Sequence, residues 1–515
     1  MDSLTLLAPP APLQPRKTED DCFPPKDTLC RHDEEQHVQN CDWISALPDD
    51  ILIEILSLMT ISEAAMTGFL TTRWRHLWKK IDHLILDSYA FGMQELEKSR
   101  YHENPVLWND VATRFVHKVN GLLESRYGNR IKEFTIIFPL SSAHASNLDH
   151  WIELAMAAST ENILLDLDNK CCKEGCTICV KGTKVASEPY DFFLGPFFDG
   201  RACSLDELTL FNCKIGTMPA NLSGFSYVKS LLLARVLIND ETISNIMSNC
   251  HALKIMVLQY CHQLIHLTAS HARLQVLVVQ FCKSLASVCI RADNLESFTY
   301  MGCKMNIEYE CAQFLDMLHV YFVKIDDCPL DFISAFPKLP KLEILVIQIP
   351  ACLHVHRVLQ HGSRFVGLKT IILILMKPWK VEISLVAYLL KSTPLLEYFG
   401  LHGCCKLQQH TQFNISWPED FILARLYTII IGGFSGEFEL MELVYFLLRS
   451  TMALDVFEID TRAMEPWLVR SNRDKLQDDT RRCYAREMAY THLVPQGPIH
   501  RVVPYYMTCS LPIKA

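Results

Sequence analysis

Residues 253–303 read LKIMVLQYCHQLIHLTASHARLQVLVVQFCKSLASVCIRADNLESFTYMGC, and this stretch carries one pattern three times. Each copy has apolar residues at positions one, four and six and a cysteine at position nine. The copies begin at Leu253, Leu274 and Leu295, 21 residues apart. Alternate apolar residues predict a short strand with one buried face. A strand that recurs at a fixed spacing predicts a solenoid whose strands form one curved parallel sheet.

Further copies of this pattern extend the solenoid in both directions. Clear copies begin at Leu205 and Val228, and weaker ones at Leu342, Leu368, Leu395 and Leu454. The spacing is that of leucine-rich repeats. Upstream, residues 131–136 and 163–167 read as strands that alternate with apolar segments of helical spacing. Asp240 is expected to cap a helix on the outer, convex side. The predicted fold class is therefore α/β, with Leu454 to Ile459 as the final strand.

Position nine of the repeat is cysteine in four copies, at Cys213, Cys261, Cys282 and Cys303. A metal site or a series of disulfides is one interpretation. The other is a buried thiol at the turn, because free cysteine behaves as a small hydrophobic residue. The turn interpretation predicts free, buried thiols.

The residues between the buried positions of each strand face the concave side. This row is apolar to weakly polar and has no basic stripe, which suits a protein surface better than nucleic acid. Mutual packing along the sheet is the alternative. The candidate target-binding residues are Phe211, Val257, Gln259, Val278, Gln280, Thr299 and Met301.

A different pattern occupies residues 41–87, where three short helices are expected in about 40 residues. Pro48 fits the first turn of the first helix, and Asp49 and Asp50 favour its positive end. Ser62 is a candidate cap for the second helix, and Thr71 or Thr72 for the third.

This stretch resembles the F-box of plant F-box proteins with leucine-rich repeats. The matching residues are Ile44-Ser45-x-Leu47-Pro48-Asp49-Asp50-Ile51-Leu52, Ile55-Leu56-Ser57, Arg73-Trp74-Arg75-x-Leu77-Trp78 and Leu84-x-Leu86-Asp87. The resemblance implies docking onto a Skp-type adaptor and, through it, onto a cullin ubiquitin ligase. The implied adaptor-binding residues are Leu47, Pro48, Ile51, Leu52, Ile55, Leu56, Trp74, Leu77 and Trp78.

Residues beyond 416 resemble the FBD region of the same plant family, with an amphipathic helix from Met441 to Leu448. The expected division is a disordered leader (1–40), an F-box-like helical domain (41–82), a leucine-rich-repeat solenoid (83–415), an FBD-like region (416–462) and a tail (463–515).

Composition limits the classes of partner. The chain has 515 residues and a net charge of −9, which argues against nucleic acid and anionic membranes. No apolar run has the length of a membrane helix, and the N-terminus does not read as a signal peptide. We expect a protein of the cytoplasm or nucleus with its 21 cysteines reduced.

Three motifs suggest chemistry. Cys171, Cys172, Cys176 and Cys179 could ligate zinc or could belong to an irregular insertion. Gly432-Gly433-x-x-Gly436 lacks the lysine of a P-loop and reads as a turn from strand to helix. The histidines at 354, 356 and 361 read as surface residues. We therefore expect no metal, no cofactor and no enzymatic activity.

Together these patterns predict the substrate-recognition subunit of a Skp–cullin–F-box ubiquitin ligase, with an unknown protein target. A leucine-rich-repeat scaffold whose F-box does not recruit a ligase is the alternative from the interaction class. A zinc-dependent activity is the alternative from the enzyme class.

Overall fold

The computed structural model describes residues 44, 46–93, 105–126, 128–168, 188–197, 204–216, 223–303, 305–322, 339–349, 365–375, 384–403, 422–436, 438–461, 484–494 and 501–503. The chain divides into two units, Met1–Pro48 and Asp49–Ala515. In the first unit, the backbone N–H of Leu47 donates to the carbonyl of Ile44 at 3.1 Å, which closes a turn. The elements below belong to the second unit. None of its helices, within these ranges, is long and apolar enough to span a membrane.

Short strands, most of them five or six residues long, recur along most of the second unit. In chain order they are β1 (His83–Asp87), β2 (Glu133–Ile137), β3 (Asn162–Asp166), β4 (Tyr190–Asp191), β5 (Glu207–Phe211), β6 (Cys213–Lys214), β7 (Ser230–Ala234), β8 (Ile255–Gln259), β9 (His266–Ser270), β10 (Val276–Gln280), β11 (Ser287–Arg291), β12 (Ser297–Gly302), β13 (Asn306–Cys311), β14 (Met317–Phe322), β15 (Ile344–Ile349), β16 (Thr370–Leu375), β17 (Tyr398–Gly403), β18 (Thr428–Gly432), β19 (Val456–Asp460) and β20 (Arg501–Val503).

The principal sheet has fifteen strands in the order β1-β2-β3-β5-β7-β8-β10-β12-β14-β15-β16-β17-β18-β19-β20. Every pairing between neighbours is parallel, and equivalent repeat positions lie side by side. Met256, for example, pairs with Leu231 on one side and Leu277 on the other. These leucine positions are fully buried. The predicted α/β solenoid with one parallel sheet is confirmed.

The helices are α1 (Asp49–Ser57), α2 (Ile61–Met66), α3 (Trp74–Leu77), α4 (Pro105–Ser125), α5 (Ala145–Ala157), α6 (Asp240–Asn249), α7 (Ser384–Lys391) and α8 (Phe438–Ser450), with 3-10 turns at Thr67–Phe69, Trp78–Lys80, Ser142–His144, Gly195–Phe197 and Ser223–Tyr227. The three predicted N-terminal helices are α1, α2 and α3. The segment of helical spacing expected between the strands at 131–136 and 163–167 is α5, and the expected convex helix is α6.

Two of the predicted helix caps were wrong by one or two residues. Thr60, and not Ser62, caps α2, in a reciprocal box with Glu63. Asn239, and not Asp240, caps α6 through its side-chain oxygen. In both cases the residue before the helix has the extended backbone that a cap requires. Asp240 instead lies in the first turn, where its carboxylate accepts from two backbone N–H groups of the next coil.

Arg73, and neither Thr71 nor Thr72, is the residue before α3, and its side chain makes no cap hydrogen bond. The hydroxyl of Thr71 accepts from the N–H of Trp74 at 3.4 Å.

The convex side of the central repeats is built from strands rather than helices. β9, β11 and β13 form a second parallel sheet of three strands. Their registers pair Val288 with Leu267 and with Ile307. This sheet was not predicted. Repeats of 21 residues leave too few residues for an outer helix, so a short strand occupies the convex side instead.

The position-nine cysteines are free thiols, as are all seven cysteines in the described residues. Cys213, Cys261 and Cys282 are buried, but Cys303 is only half-buried. The expectation that Cys303 is buried was therefore wrong. Tyr300 in the same repeat donates its hydroxyl hydrogen to the Cys303 carbonyl, so this turn differs from those before it.

The C-terminal end departs from the prediction in one respect. The strand expected at Leu454–Ile459 is β19, but it is not the last, because β20 pairs with it in parallel. The glycine turn between β18 and α8 has the expected form. Gly433 has a positive φ, and a side chain there would meet the Gly403 carbonyl oxygen.

The candidate zinc cysteines at 171–179, the histidines at 354, 356 and 361, and the residues before 44 lie outside the described residues.

Candidate protein-binding surfaces

Five of the predicted adaptor-binding residues form the interior of the helical region at the N-terminal end. Leu52 and Leu56 on α1, Trp74 and Leu77 on α3, and Trp78 are each exposed by 9% or less. They are the residues of helical spacing that face inward when three short helices pack together. Their side chains hold α1 and α3 in place.

The outer side of the same helices presents an unusual amount of apolar surface. Ile51 and Ile55 are exposed, and so are Leu58 (84%), Phe69 (91%) and Leu70 (69%). Met59 and Met66 are also exposed. Single exposed apolar residues are ordinary, but a group of them on neighbouring turns marks a surface that binds another protein. We call Ile51, Ile55, Leu58, Phe69 and Leu70 the helical apolar face.

Ile51 and Ile55 belong to the predicted adaptor-binding set, whereas Leu58, Phe69 and Leu70 were not predicted. A signal was present, since the apolar residues of this stretch exceed what one inner face of three short helices can bury.

The other two predicted adaptor-binding residues lie in the first unit. Leu47 is half-buried, and Pro48 is exposed.

An ion-pair group ties the start of α1 to the segment around α3. Arg73 donates from Nε and Nη2 to Asp49 Oδ1, at 2.9 and 2.6 Å. Lys80 Nζ lies 3.6 Å from the other carboxylate oxygen. The hydrogen bond from Arg73 lowers the pKa of Asp49 below its usual value. Asp49 thereby stabilises α1 through the positive end of the helix dipole and also links two helical segments.

Arg126 joins the helical region to the solenoid. Its guanidinium donates to the carbonyl of Trp78 at 2.7 Å and to that of Ile81, and it lies 5.9 Å from the Trp78 ring. Arg126 directly follows α4, and it is 2% exposed. Burial lowers the pKa of its guanidinium to about 10, and the charge of Asp82 opposes this effect. A buried arginine held by two carbonyls makes a stiff connection between the helical apolar face and the first coils.

The concave side of the central repeats is open. We call the concave positions of β8, β10 and β12 the central concave face. Of the predicted target-binding residues, Gln259, Val278, Gln280, Thr299 and Met301 are half-buried there. Val257 is buried, and Phe211 is half-buried on β5. Gln259 donates from its side-chain amide to that of Gln280 at 3.0 Å.

The concave side of the later repeats is closed. We call the concave positions of β15, β16 and β17 the C-terminal concave face. Val346, Ile372 and Ile374 form a buried cluster there, with Tyr321, Ile344 and Tyr398 packed against it. Beside this cluster, Gln348 and His402 are also buried. The alternative of mutual packing along the sheet thus describes this face, whereas the central face keeps accessible side chains.

A possible cation site lies on the convex sheet, where Cys289, Glu308 and Glu310 have ligand atoms within 4.8 Å of one another. Arg291 donates to both carboxylate oxygens of Glu310, at 2.6 and 3.0 Å. This ion pair lowers the pKa of Glu310 to about 2. The arginine already supplies the positive charge that a metal ion would bring.

Comparison with known proteins identifies both parts of the chain. The family model for the At1g61320/AtMIF1 LRR domain matches residues 122–492, which is most of the chain. The chain belongs to this family. A second model, for the F-box domain, matches residues 44–86, which include the helical apolar face. The protein is therefore a plant F-box/LRR protein.

Curated relatives from Arabidopsis thaliana agree with this assignment. The F-box protein At1g80960 is 30% identical over 25% of this chain and 24% of its own length. The putative F-box/LRR-repeat protein At3g18150 is 24% identical over 64% of this chain and 62% of its own. The F-box/FBD/LRR-repeat protein At1g13570 is 26% identical over 44% of this chain and 45% of its own, and its name includes the FBD region. The matches thus span between a quarter and somewhat under two thirds of these relatives.

Proposed function

We propose that this chain is the substrate-recognition subunit of a Skp–cullin–F-box ubiquitin ligase. The helical apolar face supports the proposal most directly. It lies on F-box helices whose interior is already filled by their own apolar residues, so the exposed side chains remain for a partner. An apolar helical surface of this kind suits docking against helices of a Skp-type adaptor.

The adaptor contacts of the second unit would come from Ile51 and Ile55, the exposed residues of the predicted set on α1, extended by Leu58, Phe69 and Leu70. In the first unit, the predicted contacts are the exposed Pro48 and the half-buried Leu47. The five buried residues of that set would act indirectly, by holding α1 and α3 in position.

The repeats would hold the target through the central concave face. Because Arg126 connects the F-box helices stiffly to the first coils, a bound target would keep a defined position relative to the adaptor. The chain would then act by effective concentration, holding a lysine of the target near a loaded ubiquitin-conjugating enzyme, without a catalytic residue of its own. The cullin would join through the adaptor, in the cytoplasm or nucleus.

Adaptor binding tests the proposal. We expect Phe69→Asp to weaken capture of a purified Skp-type adaptor at least about tenfold, which corresponds to roughly 1.4 kcal/mol. The side chain is almost fully exposed, so the fold should not change. Met452→Asp is the matched control: it places the same charge on an exposed apolar residue (75%) near β19, and it should bind as the parent does.

A second variant, Leu47→Ala with Pro48→Ala, should also weaken capture at least about tenfold while the melting curve of the repeats stays in place. If the parent chain captures no adaptor, the ligase role is wrong and a leucine-rich-repeat scaffold remains. If Phe69→Asp binds as well as Met452→Asp, the assignment of the helical apolar face is wrong.

A further inference from the structure

The turns that follow β5, β7, β8 and β10 share an uncommon backbone. Asn212, Arg235, Tyr260 and Phe281 each have a φ of 54° or 55°, in the left-handed region that side chains other than glycine and asparagine rarely adopt. The backbone N–H of each donates to a carbonyl of the next strand, as from Tyr260 to Gln280 at 2.9 Å. Equivalent side chains in four consecutive coils are therefore presented in line at the carboxyl-end rim of the sheet.

Three of these side chains contact one another in a row, which we call the rim ladder: Arg235, Tyr260 and Phe281. The guanidinium carbon of Arg235 lies 5.3 Å from the centre of the Tyr260 ring. The rings of Tyr260 and Phe281 are stacked, with centres 5.0 Å apart and planes 14° apart. All three are half-buried, so part of each side chain remains accessible. Asp168 forms an ion pair with Arg235 and fixes its position.

The side chains beside the rim ladder add one positive charge, that of Lys283, and one polar ring, that of His262. Both are exposed, and the His262 and Tyr260 rings meet at nearly right angles with centres 6.3 Å apart. The N–H of Lys283 donates to His262 Nδ1 at 3.4 Å, which leaves Nε2 to carry the proton of the neutral ring. Neither side chain forms an ion pair with an acid in the part of the chain that the structure describes. The positive charge of Lys283 contrasts with the net charge of −9 of the whole chain.

The opposite, amino-end rim of the same sheet is different. There Lys229 pairs with Asp206 and Lys369 with Glu343, both at 2.7 Å, while Lys254 is exposed without an acidic partner among the described residues. Only at the carboxyl-end rim does a lysine without an acidic partner, Lys283, lie beside accessible aromatic rings, next to the amides of Gln259 and Gln280 on the central concave face.

We propose that the rim ladder binds an extended, acidic segment of the target protein that carries aromatic or aliphatic side chains. The proposal rests on the proposed function, because it places target recognition on the repeats. Carboxylates of the segment would face Lys283, and apolar side chains would cover the Tyr260 and Phe281 rings. From Arg235, after β7, to Phe281, after β10, there are two strand spacings, or about 10 Å. An extended chain covers that distance with about three residues.

Peptide binding to the full-length chain tests this. The probe is a fluorescein-labelled peptide of eight residues in which Asp and Phe alternate. The comparison probes are a Lys/Phe peptide of the same length and a labelled single-stranded RNA. We expect saturable binding of the Asp/Phe peptide and at least about tenfold weaker binding of the other two, since like charges disfavour the Lys/Phe probe.

Two variants place the binding on the ladder. Lys283→Glu should weaken binding of the Asp/Phe peptide at least about tenfold. Lys254→Glu is the matched control, because it makes the same charge change on an exposed lysine at the amino end of β8 and should leave binding unchanged. Tyr260→Asn removes the ring but keeps a residue that tolerates the left-handed backbone, as Asn212 does, and should also weaken binding.

Several results would overturn the proposal: no binding of the Asp/Phe peptide, equal binding of the Lys/Phe peptide, tighter binding of the RNA, or equal effects of Lys283→Glu and Lys254→Glu. The charge reversal on an exposed lysine decides the matter even if Tyr260→Asn does not fold. Phe69→Asp should leave peptide binding intact, and Lys283→Glu should leave adaptor capture intact, so failure of this proposal and of the proposed function are separable.

Discussion

The central and C-terminal concave faces are built from the same strand pattern, yet they differ in exposure. On the central face, Gln259, Gln280 and Thr299 remain accessible. On the C-terminal face, Val346, Ile372 and Ile374 are buried and form a cluster of their own. A repeat pattern therefore dictates which side chains enter the shared core, and leaves the concave positions to vary. The central face is suited to binding, whereas the C-terminal face adds to stability.

The two faces should differ most in the stability that is lost when a charge is introduced on each. Ile372→Asp places a carboxylate in the buried cluster, and we expect it to destabilise the protein by about 4 kcal/mol, because an uncompensated buried charge is strongly unfavourable. Thr299→Asp makes the same kind of change at a half-buried position and should cost less than about 1 kcal/mol. Urea denaturation of both variants checks this. Similar losses would show that the two faces do not differ.

His319, which lies on β14 between the two faces, should make the stability of the fold depend on pH. Burial lowers the pKa of His319 to about 4, whereas an unfolded histidine titrates near 6.5. Below pH 6.5 the unfolded chain takes up a proton that the folded chain does not. Stability is therefore full at neutral pH and falls between about pH 6.5 and 4, by up to about 3 kcal/mol.

Other buried histidines act in the same direction, so the measurement is a difference. Urea midpoints of the parent and of His319→Gln, taken from pH 7 to 4.5, should converge as the pH falls. If the urea midpoints of the two proteins fall in parallel with pH, the assignment to His319 is contradicted.

A methyl group can probe the packing around the C-terminal face. The Cβ of Gly432→Ala would lie 2.1 Å from Nδ1 of His402, a side chain that is itself buried and has little room to move. We expect a loss of about 2 kcal/mol, as for other overpacked cores. Gly121→Ala is the control, because the new methyl in α4 meets nothing within 4 Å and should stabilise the helix by about 0.5–1 kcal/mol. Thermal melting distinguishes the two variants. An unchanged melting temperature of Gly432→Ala would mean that this region is loosely packed.

The smallest effect should come from the amide pair of the central face. Gln259→Ala removes the hydrogen bond to Gln280, but water can replace it at half-buried positions, so we expect a loss below about 1 kcal/mol. A double-mutant cycle with Gln280→Ala isolates the pair. A coupling above about 2 kcal/mol would show that this face is structural like the C-terminal one.

The parts of the fold that were predictable are those that depend on local periodicity. Leu253, Leu274 and Leu295 recur at a spacing that only stacked coils can satisfy. These leucines are buried, and the strands that follow them, β8, β10 and β12, pair in parallel. The capping errors at Ser62 and Asp240 have a local cause as well, because several neighbouring polar residues can each cap a helix. The second parallel sheet, β9-β11-β13, and the last strand, β20, were missed because their residues carry only a weak or short apolar pattern.

The candidate sites were harder to predict than the fold. Periodicity identified the apolar residues of the F-box helices but did not tell Leu52 and Trp74, which are buried, from Leu58 and Phe69, which are exposed. That distinction depends on how three short helices fill a common interior. The rim ladder was missed because Arg235, Tyr260 and Phe281 occupy a variable repeat position, and only the stacked coils bring them into contact.

The sequence by itself determined that this chain is a solenoid of parallel strands preceded by three helices, because hydrophobic spacing selects the element and its buried face. Tertiary structure alone decided which surfaces remain for partners. A side chain between two core positions is buried or accessible according to the size of its neighbours in the adjacent coils. Those neighbours lie more than twenty residues away along the chain, so no local pattern contains them.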